Sequence, residues 1–196
     1  MSPKAWWYVA RATGFVAWGA AGGAIVLGLI LSGRLRRQPT PAWQQDLHRW
    51  LGAMSAVFLA VHLAGLTLDP TVAFGPAALT VPMAAAWRPG AVTWGIVAAY
   101  ALIAVELSSL VLRRLPRRLW RAIHMLSYVV WISGTVHAIS AGTDATEVRA
   151  IAIVGSGVIF NLTVLRIVGR RVPRARAASR RAGATRTPSP RPSPGA

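Results

Sequence analysis

The sequence predicts an all-α membrane protein: a bundle of five transmembrane helices with a disordered basic C-terminal tail. Three observations carry this reading. The 196 residues are 54% hydrophobic with positive mean hydropathy, greasier than a soluble domain of this size. The apolar residues fall into five runs of about 20, the length that crosses a hydrocarbon core as a helix. The 22 Lys and Arg, set against five acids for a net charge of +17, lie mainly between those runs and after the last one, where the positive-inside rule places them. So placed, the charge reads as topology and contact with anionic membrane lipid, with no nucleic acid as partner. The absence of cysteine excludes disulfides, thiolate-ligated haem and cysteine-ligated iron–sulfur clusters.

Span one is predicted over residues 6–31. No A-x-A-like site follows it, so it reads as a retained span and not a cleaved signal peptide. Its glycines suit close helix contacts in lipid. Trp6, Trp7 and Tyr8 suit an interfacial belt, and Arg11 lies about one turn inside. A loop with Arg34, Arg36 and Arg37 leads to span two, 46–68. Residues 69–90 hold four prolines and one basic residue, Arg88. Their apolar part, 72–87, is too short and too broken to span, so it is expected to be interfacial or re-entrant. Span three, 91–112, contains Glu106. The stretch RRLPRRLWR, with five arginines in nine residues, leads to span four, 119–141. A short acidic connection, GTDATE, precedes span five, 148–168. The remainder, 169–196, is Arg, Ala, Ser, Thr, Pro and Gly; it cannot bury a core and is expected to be disordered. The chain thus divides into a membrane domain, 1–168, and a tail, 169–196. Arginine-rich connections follow spans one, three and five, and arginine-poor ones follow spans two and four. The expectation is a multi-pass protein of the cell membrane with its N-terminus outside and its tail cytoplasmic.

All four histidines sit in two of these runs: His48 and His62 in span two, His124 and His137 in span four. Ionisable groups within a span are costly and mark function by default. His48 and His62 are 14 residues apart, about 21 Å along a helix. Fourteen steps of about 100° fall about 40° short of four turns, so both rings face nearly one side. His124 and His137 are 13 apart, about 19.5 Å. Spans two and four run parallel, so His48 is level with His124 towards the cytoplasmic side and His62 with His137 towards the outer side. Two facing imidazoles at one depth, twice over, can hold two six-coordinate haem irons stacked across the bilayer. Zinc or copper would need ligands converging on one point, and pairs about 20 Å apart do not converge. The plainer alternative is that the histidines only make interhelical hydrogen bonds. One mismatch stands: 13 residues leave His137 about 140° out of register with His124 on an ideal helix. Either Gly134 and its neighbours distort span four, or the rings approach from different sides.

The H-x13-H and H-x12-H spacings, with LHRWLG around the first histidine, resemble the ferric reductase-like transmembrane domain superfamily, which includes NADPH oxidases, ferric reductases and the haem subunit of a periplasmic methionine sulfoxide reductase. The resemblance covers about residues 6–168. It implies two b-type haems, an inner one on His48 and His124 and an outer one on His62 and His137. Two departures accompany it. The superfamily core usually has six spans and five are counted here, the family's first being the one without a counterpart. No G-x-G-x-x-G is present, so no flavin or nicotinamide domain is expected in this chain. Electrons are then expected from a separate flavoprotein reductase or a quinol, and are passed to an outer-face acceptor protein or small molecule. The rival readings are a quinone or quinol oxidoreductase subunit and a non-redox membrane scaffold.

Further residues are candidates around that core. Arg49 and Arg121, at the cytoplasmic ends of the histidine-bearing spans, can pair with inner-haem propionates, since guanidinium binds carboxylate bidentately. Arg117 and Arg118 are better explained by topology. Arg11 lies about 7.5 Å in from Trp6, at the depth of His62 and His137, and the resemblance places a similar arginine by the outer haem; snorkelling to the headgroups is the alternative. Glu106 can relay a proton or bind a quinone headgroup, but a structural pairing with a nearby arginine is the plainer reading. The nine tryptophans, mostly at span ends, read as interfacial belts and not as electron relays.

Overall fold

A computed structural model describes residues 4–32, 41–70, 74–142 and 145–184. Among these there is no strand, and five helical segments are long and apolar enough to cross a membrane. Helix α1, Ala5–Ser32, and α2, Ala42–Leu68, form an antiparallel pair. A second antiparallel pair joins α4, Pro89–Leu110, to a broken helix made of α5, Arg117–His124, and α6, Ser127–Ala141. Helix α7, Ala145–Ala184, packs against α1 and α6.

Small residues bring these helices together. Gly52 and Gly65 of α2 are buried. A Cβ on Gly65 would lie 3.0 Å from the backbone nitrogen of Ala10, so α1 and α2 approach at backbone distance, as small residues permit in lipid. In the middle of the bundle, the indole of Trp131 is gripped between Gly22 of α1 and Gly155 of α7. It stacks on Trp18 with ring centres 5.1 Å apart and planes at 11°. Their indole N–H groups are satisfied across helices: Trp18 Nε1 donates to Thr135 Oγ1 at 3.1 Å and Trp131 Nε1 to Ser156 Oγ at 3.0 Å. Ser55 of α2 is buried and donates to the Ala17 carbonyl at 3.0 Å.

The segment before α4 does not cross the bundle. Its short helix α3, Pro76–Thr80, lies over one end, where Tyr100 donates to the Thr80 carbonyl at 2.6 Å and Ala85 is buried against Val92 and Ile96. Residues 71–73 of the stretch singled out in the sequence lie outside the described residues, as does most of the arginine loop after α1.

Two features add to the sequence expectation. Span four is distorted at Met125 and Leu126, directly after His124, and not at Gly134. The Leu126 and Tyr128 N–H groups bond three residues back, to Ile123 and Met125, a local 3₁₀ turn. Such a turn advances about 120° per residue in place of about 100°, which closes part of the mismatch between His124 and His137. The backbone of α7 also continues to Ala184, past the apolar window that ends at Val168, over residues whose composition suggests a disordered tail. Alanine and arginine are among the better helix formers, so local hydrogen bonding can persist where no core can be buried. Residues 185–196 lie outside the described residues.

Candidate functional site

The four histidines come together as two pairs across the gap between α2 and the broken helix. The ring centres of His48 and His124 are 6.0 Å apart with planes at 65°, and those of His62 and His137 are 6.4 Å apart at 82°. The level pairing expected from the spacing is the one formed.

Three of the four rings are held in the same way. Nδ1 of His48 lies 2.9 Å from the Ala24 carbonyl oxygen, Nδ1 of His62 2.6 Å from that of Ala10, and Nδ1 of His137 2.8 Å from that of Ala91. A carbonyl can only accept, so each Nδ1 carries the proton and donates it, leaving the Nε2 lone pair free. Four residues beyond each carbonyl stands a glycine. A Cβ on Gly28, Gly14 or Gly95 would come within 3.1, 2.9 or 2.8 Å of the corresponding ring. The missing side chain is what lets the imidazole reach a carbonyl on the neighbouring helix. The 14-residue step from His48 to His62 is matched by the 14-residue steps from Ala24 back to Ala10 and from Gly28 back to Gly14, as antiparallel helices require.

His124 breaks the pattern. Carrying the α4–α6 register on to it leads to Ala104 and Ser108. Ser108 has a side chain where the other sites have glycine, and its hydroxyl donates to Val105 at 2.9 Å. His124 Nδ1 is buried with no partner. Its ring instead stacks on Trp120, with centres 4.9 Å apart and planes at 23°.

The His62–His137 pair faces an apolar cavity of about 290 Å³ that Arg11, Gly14, Gly95 and, from the covering segment, Phe74 and Trp87 also line. The Arg11 guanidinium lies 4.8 Å over the Trp7 ring. Arg49 and Arg121 are exposed, at the end of the bundle that holds the His48–His124 pair. Glu106 packs its carboxylate against Gly52 of α2, and among the described residues no arginine pairs with it. The sequence reading missed the Trp18–Trp131 pair, because it assigned tryptophans to the interface, and it missed the ring-facing glycines. The signal for those was present: Gly14 and Gly28 repeat the 14-residue interval of His48 and His62.

The profile of the family described as ferric reductase like transmembrane component matches residues 13–135. The chain belongs to the ferric reductase-like transmembrane family. The match takes in His48, His62 and His124 and stops two residues short of His137. Comparison with curated proteins and with solved structures gives no match. Ferric reductase-like domains generally are haem-binding modules of transmembrane electron transfer that work with separate flavin- and nicotinamide-binding partners.

The residues present fit that group. A metal–imidazole bond is about 2.0 Å, so two rings on opposite sides of one ion have centres about 6 Å apart, close to both spacings found. Histidine ligands almost always donate the second ring N–H to an outer partner, and three of the four do so. Among the described residues no three His, Cys, Asp or Glu side chains converge, so each level offers a pair of facing imidazoles.

Proposed function

We propose that this ferric reductase-like protein carries electrons across the membrane on two bis-histidine b haems, from a cytoplasmic or membrane donor to an acceptor at the outer face. His48 and His124 would hold the inner haem, and His62 and His137 the outer. Haem, when bound, supplies reversible one-electron chemistry at each level. The chain's own residues do the rest. The Ala24, Ala10 and Ala91 carbonyls fix the tautomer and aim Nε2 across the gap. The glycines make room for the rings. The α3 segment covers the cavity at the outer end and limits water there. Arg11, at the edge of that cavity, supplies positive charge beside the outer pair, and Arg49 and Arg121 do so near the inner one. The donor is a separate molecule, a flavoprotein or a quinol.

The observation that supports the reading is that both pairs stand at the separation two axial ligands need, with three of the four Nδ1 protons committed to backbone carbonyls. The test is an absorption spectrum of protein purified after expression with ample haem. Two low-spin b-type haems per chain are expected, and a haem-to-protein ratio near zero would overturn the assignment in favour of a scaffold.

A further inference from the structure

Helix α4 carries a single carboxyl, Glu106, and no Lys, Arg or His. The electron path proposed above does not use it. Eleven residues separate Glu106 from Gly95, about 1100° of helix, so the two lie within about 20° of one face of α4. Gly95 faces the His137 ring. Glu106 therefore stands on the face of α4 turned to the histidines, about 16.5 Å further along. That depth falls between Ala104 and Ser108, the positions that the register sets opposite His124. Its carboxyl crosses to α2: a Cβ on Gly52 would lie 2.6 Å from Oε1 and 3.3 Å from Oε2. Gly52 is buried, one turn after His48. The missing side chain makes room for the carboxyl, as Gly28 does for the His48 ring.

Among the described residues no donor or cation is bonded to this carboxyl. Of the elements packed on α4, α3 has no ionisable residue. Helix α6 has Tyr128, which is bonded to Thr163, and His137, which lies at the outer level. Helix α2 brings His48 to the inner level, with Asp46 and Arg49 exposed beyond it and His62 at the outer level. Helix α5 brings His124, with Arg117, Arg118 and Arg121 exposed. The titratable neighbours of Glu106 at its own depth are thus His48 and His124. A carboxylate inside a span is costly without a compensating charge, and no protein cation supplies one. The place beside it from which a positive charge can come is the site between the two imidazoles.

We infer that Glu106 is the proton site of the inner level: it binds one proton when the centre between His48 and His124 is reduced, and releases it when the electron moves on. Charge accounts for the coupling. An iron–porphyrin unit with two neutral imidazoles is positive by one when oxidised and neutral when reduced, and a centre of that kind dominates the local electrostatics. The positive state stabilises Glu106 as a carboxylate. Reduction removes the charge, and the carboxylate left in hydrocarbon takes a proton from the cytoplasmic water. The electron comes from the flavoprotein or quinol donor, and the carboxyl O–H is the one bond that forms. The coupling is reciprocal, so the bound proton favours the electron by the same factor. This rests on the proposed function in taking His48 and His124 as the inner ligands, and adds the proton that accompanies the electron there.

The experiment is a redox titration of the full chain with its haems, in detergent, repeated from mildly acid to mildly alkaline pH. The transition that survives in His62→Ala identifies the inner level. Because the reduced state binds the proton, the inner potential should fall as pH rises, by up to about 59 mV for each tenfold drop in proton concentration. Glu106→Gln, neutral at every pH, should flatten that slope, hold the inner potential near the parent's acid value and leave the outer transition as it was. Glu106→Asp should restore a slope, and Gly52→Ala, which displaces the carboxyl, should weaken it. Infrared difference spectra should show a protonated-carboxyl band gained on reduction of the parent and missing in Glu106→Gln. A parent inner potential independent of pH overturns the inference. So does a slope that persists in Glu106→Gln, since the proton then belongs to a haem propionate. If Glu106→Gln does not assemble, the other variants decide: no carboxyl band in the parent, or slopes identical in parent, Glu106→Asp and Gly52→Ala, overturns it. The two readings fail separately. Two haems with a pH-independent inner potential remove this site alone, whereas a chain without haem removes the proposed function and this site with it.

Discussion

A Cβ placed on Gly95 would lie 2.8 Å from His137 Nδ1, the same nitrogen that donates to the Ala91 carbonyl at 2.8 Å. One helix turn of α4 thus supplies both the space and the acceptor that hold this ring. Gly95→Ala must push the imidazole away or break its hydrogen bond. Loss of such an outer partner typically costs about 10–100-fold in metal affinity. The expected outcome is a protein that inserts normally but retains less of one haem, measured as haem per chain against parent protein. Unchanged haem content would show that the cradle is only packing.

The pairing makes a separate prediction. His62→Ala or His137→Ala should each remove the same haem, because the rings face each other at 6.4 Å, and should spare the one between His48 and His124. Redox titration should show one of two transitions lost in either variant. Loss of both transitions from a single change would contradict independent levels.

Packing in the middle of the bundle should be just as sensitive. A Cβ on Gly22 would come 2.5 Å from Trp131 Cζ3, and Trp131 is held on its other side by Gly155 and by its bond to Ser156. With no free direction, Gly22→Ala should cost about 1–3 kcal/mol by overpacking, read as a lower unfolding temperature in detergent. Gly19→Ala, which meets nothing within 4 Å, should leave that temperature unchanged.

How much of this was legible in the sequence depends on what each feature needs. Span count and the level of the histidine pairs follow from hydropathy and helical rise, which are local and additive, and the five segments apolar enough to cross a membrane match the five predicted spans to within a few residues. The 13-residue interval does not fit an ideal helix, and the sequence left open whether span four is distorted near Gly134 or the rings approach from different sides. The distortion at Met125–Leu126 follows the end of α5 at His124, which hydropathy does not report. The Trp18–Trp131 stack depends on which faces meet, and one sequence does not specify that. The open hydrogen bond of His124 was invisible for a further reason: it stands out only once the other three sites are seen together.

Orientation gives a prediction independent of haem. Arginine-rich and arginine-poor connections alternate without exception, which places the segment after α7's apolar window in the cytoplasm and the α6–α7 connection outside. Reporter fusions after Arg176 and after Asp144 should read opposite sides, the first cytoplasmic. The same side for both would require a different number of crossings.

Arg11 supplies the last prediction. An arginine inside a span is expensive, by about 2.5 kcal/mol or more at the centre on insertion scales, so its position needs a compensating contact. One such contact is the Trp7 ring, 4.8 Å from the guanidinium carbon, worth about 0.5–2 kcal/mol depending on exposure. That alone would hold the side chain towards the membrane surface. Yet Arg11 also lines the cavity faced by His62 and His137, where the carboxylates of a bound haem would meet it. A positive charge at that place favours the reduced, more negative form of the centre. Arg11→Leu should therefore lower the potential of the outer haem and slow delivery to an external acceptor, with the inner haem's potential unchanged. Arg11→Lys keeps the charge but loses the planar fork that pairs with carboxylate, and should recover the potential in part. If both variants retain the parent potentials and delivery rates at normal expression, Arg11 plays no part at the outer haem.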